Sequence, residues 1–508
     1  MKKALAFLLS LLLVIGIFGA VVAEEPIEIT FMTGGINEFD EKDNPVTKYF
    51  EEKTGVKLTI ELAPESAFVE RFQIFMSTGD KLPELMYMPN GQNVLHQNAI
   101  DAGQIIALDE WIEKYPNITK YTHPLAWETA KVMGDGKIYA LPTSIMNRQD
   151  GAYVRKDWLD KFGITIPEDG TITLETFKDI LYKFTFEDPD GNGVDDTYGL
   201  SLGSNGEFLE PNWLLYGAFN QFGWQKDESG TYDFINARFD RSNTNFRDNL
   251  EFIANLWKDG VIDPNWINNT GGMNRTRFMQ GLAGMTVSTP GHYVNMRNEL
   301  KTLFPEAEIV YITRVAKNEG DVVPGAAFGA GTWGSVVVTN TALEEGKVDG
   351  IFKLIDYMLS DEGWDVLTNG LEGIQYEVVD DQKVFDAEAS EKFENGEKAP
   401  YAIMRRYDDA RYLLGPANMD PDDAAILSVF VANAMANLKI SLNLGYTTDA
   451  EREQNYLDYQ KEIQATISKI LVGELPSSAW DECVEGWYKN GGDAAIEQMN
   501  VYLNSKGY

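Results

Sequence analysis

The chain is 508 residues long, and 44% of its residues are hydrophobic and 12% aromatic, so we expect a large buried core and two or three domains. Its 43 Lys and Arg residues face 79 Asp and Glu residues, and the net charge of −36 repels nucleic acids and anionic membrane surfaces. One cysteine and three histidines exclude an internal disulfide framework and leave little for a metal centre of thiolates or histidines. Composition therefore excludes a disordered chain and argues against a nucleic-acid partner.

The N-terminus predicts export. Lys2 and Lys3 precede an apolar run that begins at Ala4. Small residues end this run at Ala23, where we predict cleavage of a signal peptide, residues 1–23. The alternative is a retained membrane anchor, because the run is nearly long enough to span a bilayer. Cleavage removes two lysines and changes the net charge from −36 to −38. Because no cysteine lies near the cleavage point, we expect a protein of the periplasm, cell envelope or medium that is not a Cys-anchored lipoprotein.

Predicted strands and helices alternate along the chain. Hydrophobic period two predicts strands and period 3.6 predicts helices. In chain order we predict strand 27–32, helix 44–54, strand 56–62, helix 66–77, strand 85–88, helices 97–102 and 108–115, a hairpin at 136–144, helix 245–258, strands 284–288, 308–312 and 335–339, and helix 349–359. This order indicates an α/β fold with a parallel sheet covered by helices on both faces.

Two breaks in this pattern predict crossings between lobes. A new α/β pattern begins at Tyr153, after the predicted hairpin, and a Gly/Ala-rich stretch, 324–331, precedes the strand at 335–339. Ligands of open α/β sheets bind beyond the carboxyl ends of the strands. The loops after the first and third predicted strands, which contain Gly35 and Asn90, are therefore candidate ligand contacts, although simple turns explain the glycines equally well.

Residues 188–196 have the spacing of a calcium loop. The candidate ligands are the side chains of Asp188, Asp190, Asn192 and Asp196 and the carbonyl of Val194. An EF-hand places a bidentate Glu at the twelfth position, where this chain has Gly199. The alternative is an acidic turn without metal. We expect a structural Ca²⁺, because a fully coordinated ion has no open position for chemistry.

The stretch 329–334 matches the dinucleotide fingerprint G-x-G-x-x-G, and we reject that function. The fingerprint must open a helix, whereas a strand pattern follows here and the bulky Trp333 lies inside the loop. A hinge or a ligand-facing loop explains these glycines better.

Aromatic residues beside turns are candidate platforms for sugar rings, which have apolar C–H faces and a rim of hydroxyls. The candidates are Trp213, Tyr216, Trp224, Trp333 and Tyr376. For any one of them, packing in the core is the alternative. Four tryptophans in helical patterns are assigned to the core: Trp111, Trp158, Trp257 and Trp364.

Signals for catalysis are weak. The chain has no H-E-x-x-H and no G-x-S-x-G. A glycosidase pair cannot be singled out among 79 acidic residues. Cys483 lies between acidic residues of a predicted helix, which argues against a reactive thiol. We therefore predict a protein that is not an enzyme.

Several stretches together resemble the long-chain branch of the family 1 extracellular solute-binding proteins, which deliver substrates to ATP-driven importers. The matching stretches are STGDKLPE (77–84), GKIYALP (136–142), VRKDWL (154–159) followed by Gly163 and Pro167, DPDGNGVDDTYG (188–199), FMQGLAGM (278–285), YMLSDEG (357–363) and GLEGIQY (370–376). Each stretch alone is common, but their combination and order are specific.

The resemblance implies a type II periplasmic-binding-protein fold, in which two α/β lobes are joined by crossing hinge segments. The implied division is 24–146 for the first part of lobe 1, 147–329 for the first part of lobe 2, 330–379 for the return segment of lobe 1, and 380–508 for the second, mostly helical part of lobe 2. Alginate-binding members carry a calcium loop that resembles residues 188–197, which implies the same five ligands. The family often has Glu at the tenth loop position, where this chain has Thr197, so affinity is weaker or a neighbour such as Asp195 replaces it.

We therefore expect an exported, monomeric receptor that captures a sugar, most simply an oligosaccharide, and presents it to an ABC permease. The alternatives are a receptor for peptides or other solutes and a secreted polysaccharide-degrading enzyme. The expected ligand contacts are Trp333 and Tyr376 as platforms, Trp213 and Trp224 on the second lobe, and Arg148, Asn90 and Gly35 as polar or backbone contacts. An anionic sugar would require arginines in the cleft, since a net charge of −38 provides no general attraction.

Overall fold

The computed structural model of the chain describes residues 25–33, 43–62, 81–89, 94–131, 136–144, 148–204, 213–270, 272–327, 332–401, 403–409 and 419–508, and the single positions 71, 74, 75, 77 and 209. The predicted signal peptide and most of the helix predicted at 66–77 lie outside these residues. Within the described ranges, no helix is long and apolar enough to cross a bilayer.

Strands and helices alternate through most of the chain, as the sequence predicts. The strands are β1 (Ile27–Thr33), β2 (Val56–Leu62), β3 (Leu85–Pro89), β4 (Leu141–Ser144), β5 (Gly151–Arg155), β6 (Thr171–Thr173), β7 (Tyr198–Ser201), β8 (Trp224–Lys226), β9 (Phe234–Asn236), β10 (Ala283–Ser288), β11 (Ile309–Ile312), β12 (Arg314–Ala316), β13 (Gly325–Ala326), β14 (Thr332–Val338), β15 (Tyr376–Val379), β16 (Gln382–Phe385) and β17 (Leu438–Lys439). The helices are α1 (Pro45–Thr54), α2 (Val94–Asp101), α3 (Asp109–Ile112), α4 (Pro116–Tyr121), α5 (Pro124–Ala130), α6 (Lys156–Lys161), α7 (Leu174–Phe186), α8 (Asn245–Lys258), α9 (Met273–Met279), α10 (Tyr293–Leu303), α11 (Asn340–Glu344), α12 (Val348–Leu359), α13 (Asp361–Asn369), α14 (Ala387–Lys392), α15 (Pro421–Met435), α16 (Asp449–Arg452), α17 (Gln454–Leu471), α18 (Ala479–Trp487) and α19 (Asp493–Ser505).

Local sequence signals set the ends of the elements. Helix α1 begins after Asn44, whose side chain accepts hydrogen bonds from the backbone amides of Val46 and Thr47. It ends at Gly55, where a φ of 71° favours glycine, and β2 starts at the next residue.

The first sheet has the strand order β2-β1-β3-β14-β4. Strand β1 is parallel to β2 and β3, but β14 runs antiparallel to both β3 and β4. The sheet is therefore mixed, and the prediction of a parallel sheet is wrong here, because β14 returns from later in the chain and enters in the opposite direction. The hairpin predicted at 136–144 is also wrong, since β4 pairs with β14 and with no neighbouring segment that the structure describes.

Both faces of the first sheet are buried. In β14, Val336 and Val338 face a core that includes Phe31 and helix α12, whereas Val337 faces a smaller core that includes Met86. Successive residues of a strand point to opposite faces, so a continuous apolar run fits a strand that is covered on both sides.

The second sheet has the strand order β11-β5-β10-β7. Strand β5 is antiparallel to both neighbours, and β10 is parallel to β7. In β5, Ala152 and Val154 face a large core formed with α7, α8 and α17, while Tyr153 faces a separate core formed with α10 and α15. The second lobe is thus also three layers deep, with its sheet in the middle.

The C-terminal part of the chain is divided between the two lobes. Phe393, Tyr401 and Met404 are buried in the core of the first lobe, whereas Ile463 and Trp487 are buried in the core of the second. The lobe boundary predicted at residue 380 is therefore too early. Packing keeps the chain with the first lobe to about residue 404, which a mostly helical pattern alone does not reveal.

The chain passes between the sheets after β4, before β14 and between residues 409 and 419. Each crossing includes residues outside the described ranges, as do the boundaries predicted at 146/147 and 329/330. Beside the crossings, β13 pairs with β17, and the Ala326 amide donates to Gln149 Oε1 at 3.0 Å. The segments on the second-lobe side of the first two crossings are thus tied together.

Candidate functional site

The carboxyl ends of β1, β3 and β4 lie at one edge of the first sheet, together with the amino end of the antiparallel β14. The register pairs Thr332 with Ser144 and Gly334 with Pro89. The last three residues of the G-x-G-x-x-G stretch, 332–334, therefore belong to a strand, whereas a dinucleotide fingerprint opens a helix. They lie at the edge where open α/β sheets bind their ligands.

The second sheet presents a matching edge. Gly151, the first residue of β5, pairs with Ser288, the last residue of β10, and the parallel strand β7 ends beside them at Ser201. Because Gly151 follows Ser144 closely in the chain, even a fully extended connection limits the separation of the two edges to about 25 Å. The two edges therefore lie near each other, and we call the space between them the cleft.

A cation, a carboxylate and an indole meet at the second-lobe edge. Arg148 Nε donates to Asp150 Oδ1 at 3.0 Å, and both side chains are largely buried. Trp213, in a single turn of 3-10 helix, donates from Nε1 to the Asp150 carbonyl at 3.0 Å while it stays 43% exposed. The hydrogen bond fixes the orientation of an indole whose surface is open to solvent.

Helix α9 brings a second arginine to this edge. Asn274 Nδ2 donates to Thr286 Oγ1 at 3.0 Å and to the Val287 carbonyl at 3.1 Å, which anchors the first turn of α9 beside the end of β10. Arg275 follows in the same turn and is half-buried. Burial lowers the pKa of its guanidinium, which nevertheless stays charged at neutral pH.

His292 lies beside these arginines. Its Nδ1 is 2.7 Å from the Oγ of Ser288. Burial, together with the positive charges of Arg275 and Arg148, lowers the pKa of His292 to about 4, so the imidazole is neutral at pH 7. Burial also raises the pKa of Asp150, an effect that Arg148 opposes. The cluster therefore has two guanidinium cations and one carboxylate.

The predicted ligand contacts divide into residues at the cleft edge, residues whose side chains are not described, and buried residues. Arg148 and Trp213 lie together at the cleft edge. Gly35 and Asn90 lie outside the described residues, and only the backbone of Trp333, within β14, is described.

Trp224 and Tyr376 occupy buried positions instead of the predicted exposed ones. Trp224 is 3% exposed in the core of the second lobe. Tyr376 is 8% exposed and lies in the hairpin β15–β16. The centroid of its ring lies 5.5 Å from the ring centroid of Phe385 and 4.5 Å from Lys383 Nζ. Neither ring is accessible to a sugar in this structure, because proximity to a turn does not distinguish an inward ring from an outward one.

Sequence reasoning missed Asp150, Arg275 and His292. A signal for His292 was available, since it lies just beyond the carboxyl end of the predicted strand 284–288, where the rule that selected Gly35 and Asn90 applies. Arg275 reaches the same edge only through the packing of α9 against β10, which no local pattern encodes.

The loop predicted to bind calcium is a compact turn held by its own side chains. The Gly193 amide donates to Asp188 Oδ2 at 3.1 Å, and the Asn192 amide donates to Asp190 Oδ1 at 3.2 Å. The side-chain nitrogen of Asn192 lies 3.1 Å from both Asp190 Oδ2 and Asp196 Oδ1. The remaining oxygen of Asp188, Oδ1, is closed off from solvent and has no hydrogen-bond partner among the described residues.

The electrostatics of this loop favour a cation. Burial raises the pKa of Asp190, and the neighbouring Asp188 and Asp196 carboxylates raise it further. Lys161 Nζ donates to the Asp188 carbonyl and supplies part of the compensating charge. Across the described ranges, no group of three or more His, Cys, Asp or Glu side chains is arranged to hold a metal ion. The loop therefore offers suitable oxygens but not an assembled cage.

Two α/β lobes joined by crossing segments, with an exposed indole and arginines at the edge of one sheet, are typical of proteins that bind a solute between their lobes. The chain belongs to the bacterial extracellular solute-binding proteins, because the model of that family matches residues 34–363. This confirms the family that the sequence resembles.

Individual relatives span nearly the whole chain. It is 23% identical over 478 residues to the polygalacturonan/rhamnogalacturonan-binding protein YtcQ of Bacillus subtilis strain 168, which covers 94% of this chain and 91% of YtcQ. Its fold is similar to the crystal structure of the alginate-binding protein AlgQ2 without calcium ion, with a TM-score of 0.69, 18% identity and coverage of 95% and 98%. It is similar to the Streptococcus pneumoniae ABC-transporter substrate-binding protein FusA in complex with kestose, with a TM-score of 0.68, 18% identity and coverage of 94% and 99%. These structures confirm the predicted binding-protein fold.

Proposed function

We propose that this protein is the substrate-binding protein of an ABC transporter and captures an oligosaccharide between its lobes. The observation that carries the proposal is Trp213, an exposed indole fixed at the cleft edge beside Arg148 and Asp150. A carbohydrate site needs a flat aromatic surface with polar and charged groups around it. YtcQ and AlgQ2 are named for binding polysaccharides, and FusA is solved with kestose, which supports the same ligand class.

Binding and closure are coupled in this proposal. A ligand that touches both edges gains its full set of contacts only when the lobes approach each other, so its higher affinity for the closed form shifts the population toward closure. The closed form is then the one that an ABC permease recognises.

No chemical step on the sugar is part of this proposal. A glycosidase needs two carboxylates flanking the bond that breaks. The described part of the cluster supplies one, Asp150, which is already paired with Arg148. Cys483 is 6% exposed, and burial raises the pKa of its thiol to about 11, so it is no nucleophile at neutral pH.

We further propose that residues 188–196 hold a structural Ca²⁺. The buried oxygen of Asp188 that lacks a partner among the described residues supports this, as does the raised pKa of Asp190. Asp188, Asp190, Asn192, Asp196 and the Val194 carbonyl would hold the ion, and Asp195 is the neighbour that could replace the missing acidic ligand. The ion would supply positive charge that neutralises the crowded carboxylates and fixes the loop between α7 and β7.

The test of the sugar proposal is a thermal-unfolding screen against mono- and oligosaccharides, neutral and acidic, with chromatography of the sugars afterwards. A ligand at 100 times its dissociation constant stabilises the folded state by about 2.7 kcal/mol. We expect a saturable rise of the midpoint with one sugar class and no new product. Sugar turnover, or a rise with peptides alone, would contradict the proposal.

The cellular setting follows from the same proposal. We propose export with cleavage after Ala23 and a monomer that docks on a permease. Mass spectrometry of the exported protein would show an N-terminus at Glu24 if the signal peptide is removed, and residues 1–23 still attached if it anchors the protein.

A further inference from the structure

One arginine of the cleft lacks a carboxylate. The guanidinium of Arg275 makes neither an ion pair nor a hydrogen bond with any residue that the structure describes. Its neighbour Arg277 pairs with the fully buried Asp263, and Arg297 pairs with the buried Asp423. In a chain with 79 acidic and 43 basic residues, an arginine side chain with neither an acidic partner nor a hydrogen-bond acceptor among the described residues calls for a reason.

The local backbone makes room for this guanidinium. Gly272 has a φ of 87°, and a Cβ at that position would lie 2.3 Å from Arg275 Nη2. The Arg275 amide donates to the Gly272 carbonyl at 3.0 Å, so the side chain folds back over the loop that precedes α9. Among the described residues, the glycine and the helix start thus place the guanidinium, and no counter-ion does.

The described surroundings leave one positive charge uncompensated. Asp150 neutralises Arg148, with 3.0 Å between the carboxylate and the guanidinium, and His292, beside Ser288, is neutral at pH 7. Arg275 therefore gives the cluster a net charge of one positive unit, although the chain as a whole has a net charge of −36.

We propose that Arg275 binds a carboxylate of the ligand, so that the cleft is built for an acidic oligosaccharide with uronate groups. This inference rests on the proposed function. A half-buried guanidinium without a counter-ion is unfavourable, and a carboxylate restores the pairing with two parallel hydrogen bonds. A neutral sugar offers hydroxyl oxygens, which accept a hydrogen bond but leave the charge uncompensated. The exposed Trp213 then stacks on the apolar face of the same ligand.

The experiment is calorimetric titration of the full chain with matched pairs of sugars. Trigalacturonate and trimannuronate are the acidic probes, and galactotriose and mannotriose have the same rings with a hydroxymethyl group in place of each carboxylate. We expect at least one acidic probe to bind about tenfold or more tightly than its neutral counterpart. We expect this preference to disappear in R275A. R275K keeps the positive charge but cannot donate two parallel hydrogen bonds from a planar group, so it retains part of the preference.

The matched control is R247Q. Arg247 pairs with Asp481 at 2.7 Å at the first turn of α8, so its replacement removes the same charge from the same lobe. We expect R247Q to keep the preference for the acidic probe. Equal losses in R275A and R247Q would overturn the assignment to Arg275. Neutral trisaccharides that bind as tightly as the acidic ones would overturn the inference and leave the proposed function standing, whereas a protein that binds no sugar would refute both.

Discussion

At the scale of single residues, Trp213 and Trp224 contrast most clearly. Both were selected from the sequence as sugar platforms, but Trp213 is 43% exposed at the cleft edge and Trp224 is 3% exposed in the core. We predict that W213A weakens oligosaccharide binding about tenfold with a small change in stability, because the lost contact is with the ligand. W224A destabilises the fold by about 3–5 kcal/mol, because it leaves a cavity. Calorimetric titration and denaturant unfolding of both variants measure these effects.

The two variants act as controls for each other. If W213A bound the sugar as tightly as the unmodified protein does, the indole would not be a platform. A W224A variant that unfolded normally but lost binding would place that ring at the ligand after all, and would contradict the packing described here.

The stability of the fold at acidic pH also depends on a single residue, His96. His96 is 1% exposed, and its Nε2 lies 3.1 Å from Ser335 Oγ. Burial lowers the pKa of His96 to about 4 from 6.5. The unfolded chain therefore binds this proton more readily, so stability is full above pH 6.5 and falls as the pH drops from 6.5 toward 4. We predict that protonation of His96 alone lowers the free energy of unfolding by about 1–2 kcal/mol at pH 5 relative to pH 7.

The measurement is denaturant unfolding of the wild type and H96Q at both pH values. Glutamine can keep a hydrogen bond to Ser335 but does not titrate, so H96Q is expected to lose less stability between pH 7 and pH 5. His292 contributes in the same window in both proteins, and the difference between them isolates His96. Identical losses would show that His96 takes up its proton equally in both states.

At the scale of elements, the loop between α7 and β7 allows a direct test of the calcium proposal. If it binds Ca²⁺, adding the ion raises the unfolding midpoint by mass action and a chelator reverses the rise. D190N removes one carboxylate ligand and is expected to reduce the calcium effect strongly. Asp179, which pairs with Lys183 on the surface of α7, supplies the control variant D179N, which should keep the full effect. A midpoint that calcium leaves unchanged in the wild type would contradict the calcium proposal.

Elements with strong periodicity were predictable, and those set by tertiary contacts were not. Helix α8 was predicted with the bounds it has, because its apolar residues recur along one face and Gly260 follows its end. The direction of β14 was not predictable, since it depends on which strands flank it after a long excursion through the second lobe. The site divides in the same way. Arg148 and Trp213 came from local signals, and His292 had an available signal as well, whereas Arg275 needed the packing of α9 against β10.

At the scale of the whole molecule, two lobes joined by crossings should close on the ligand. We predict that a saturating oligosaccharide reduces the radius of gyration, measured by small-angle X-ray scattering, because the lobes rotate toward each other. The same protein without sugar provides the unliganded control. A radius of gyration that stays constant on saturation would show that the ligand binds without closure.

The order of the strands also has a consequence for the life of the chain before it folds. Strand β14 is inserted between β3 and β4, and the second core needs Trp487 and Met499 near the C-terminus. Neither lobe can therefore complete its core until most of the chain has been synthesised. Under the proposed export, a polypeptide whose cores stay incomplete this long would remain extended enough to pass through a narrow secretion channel.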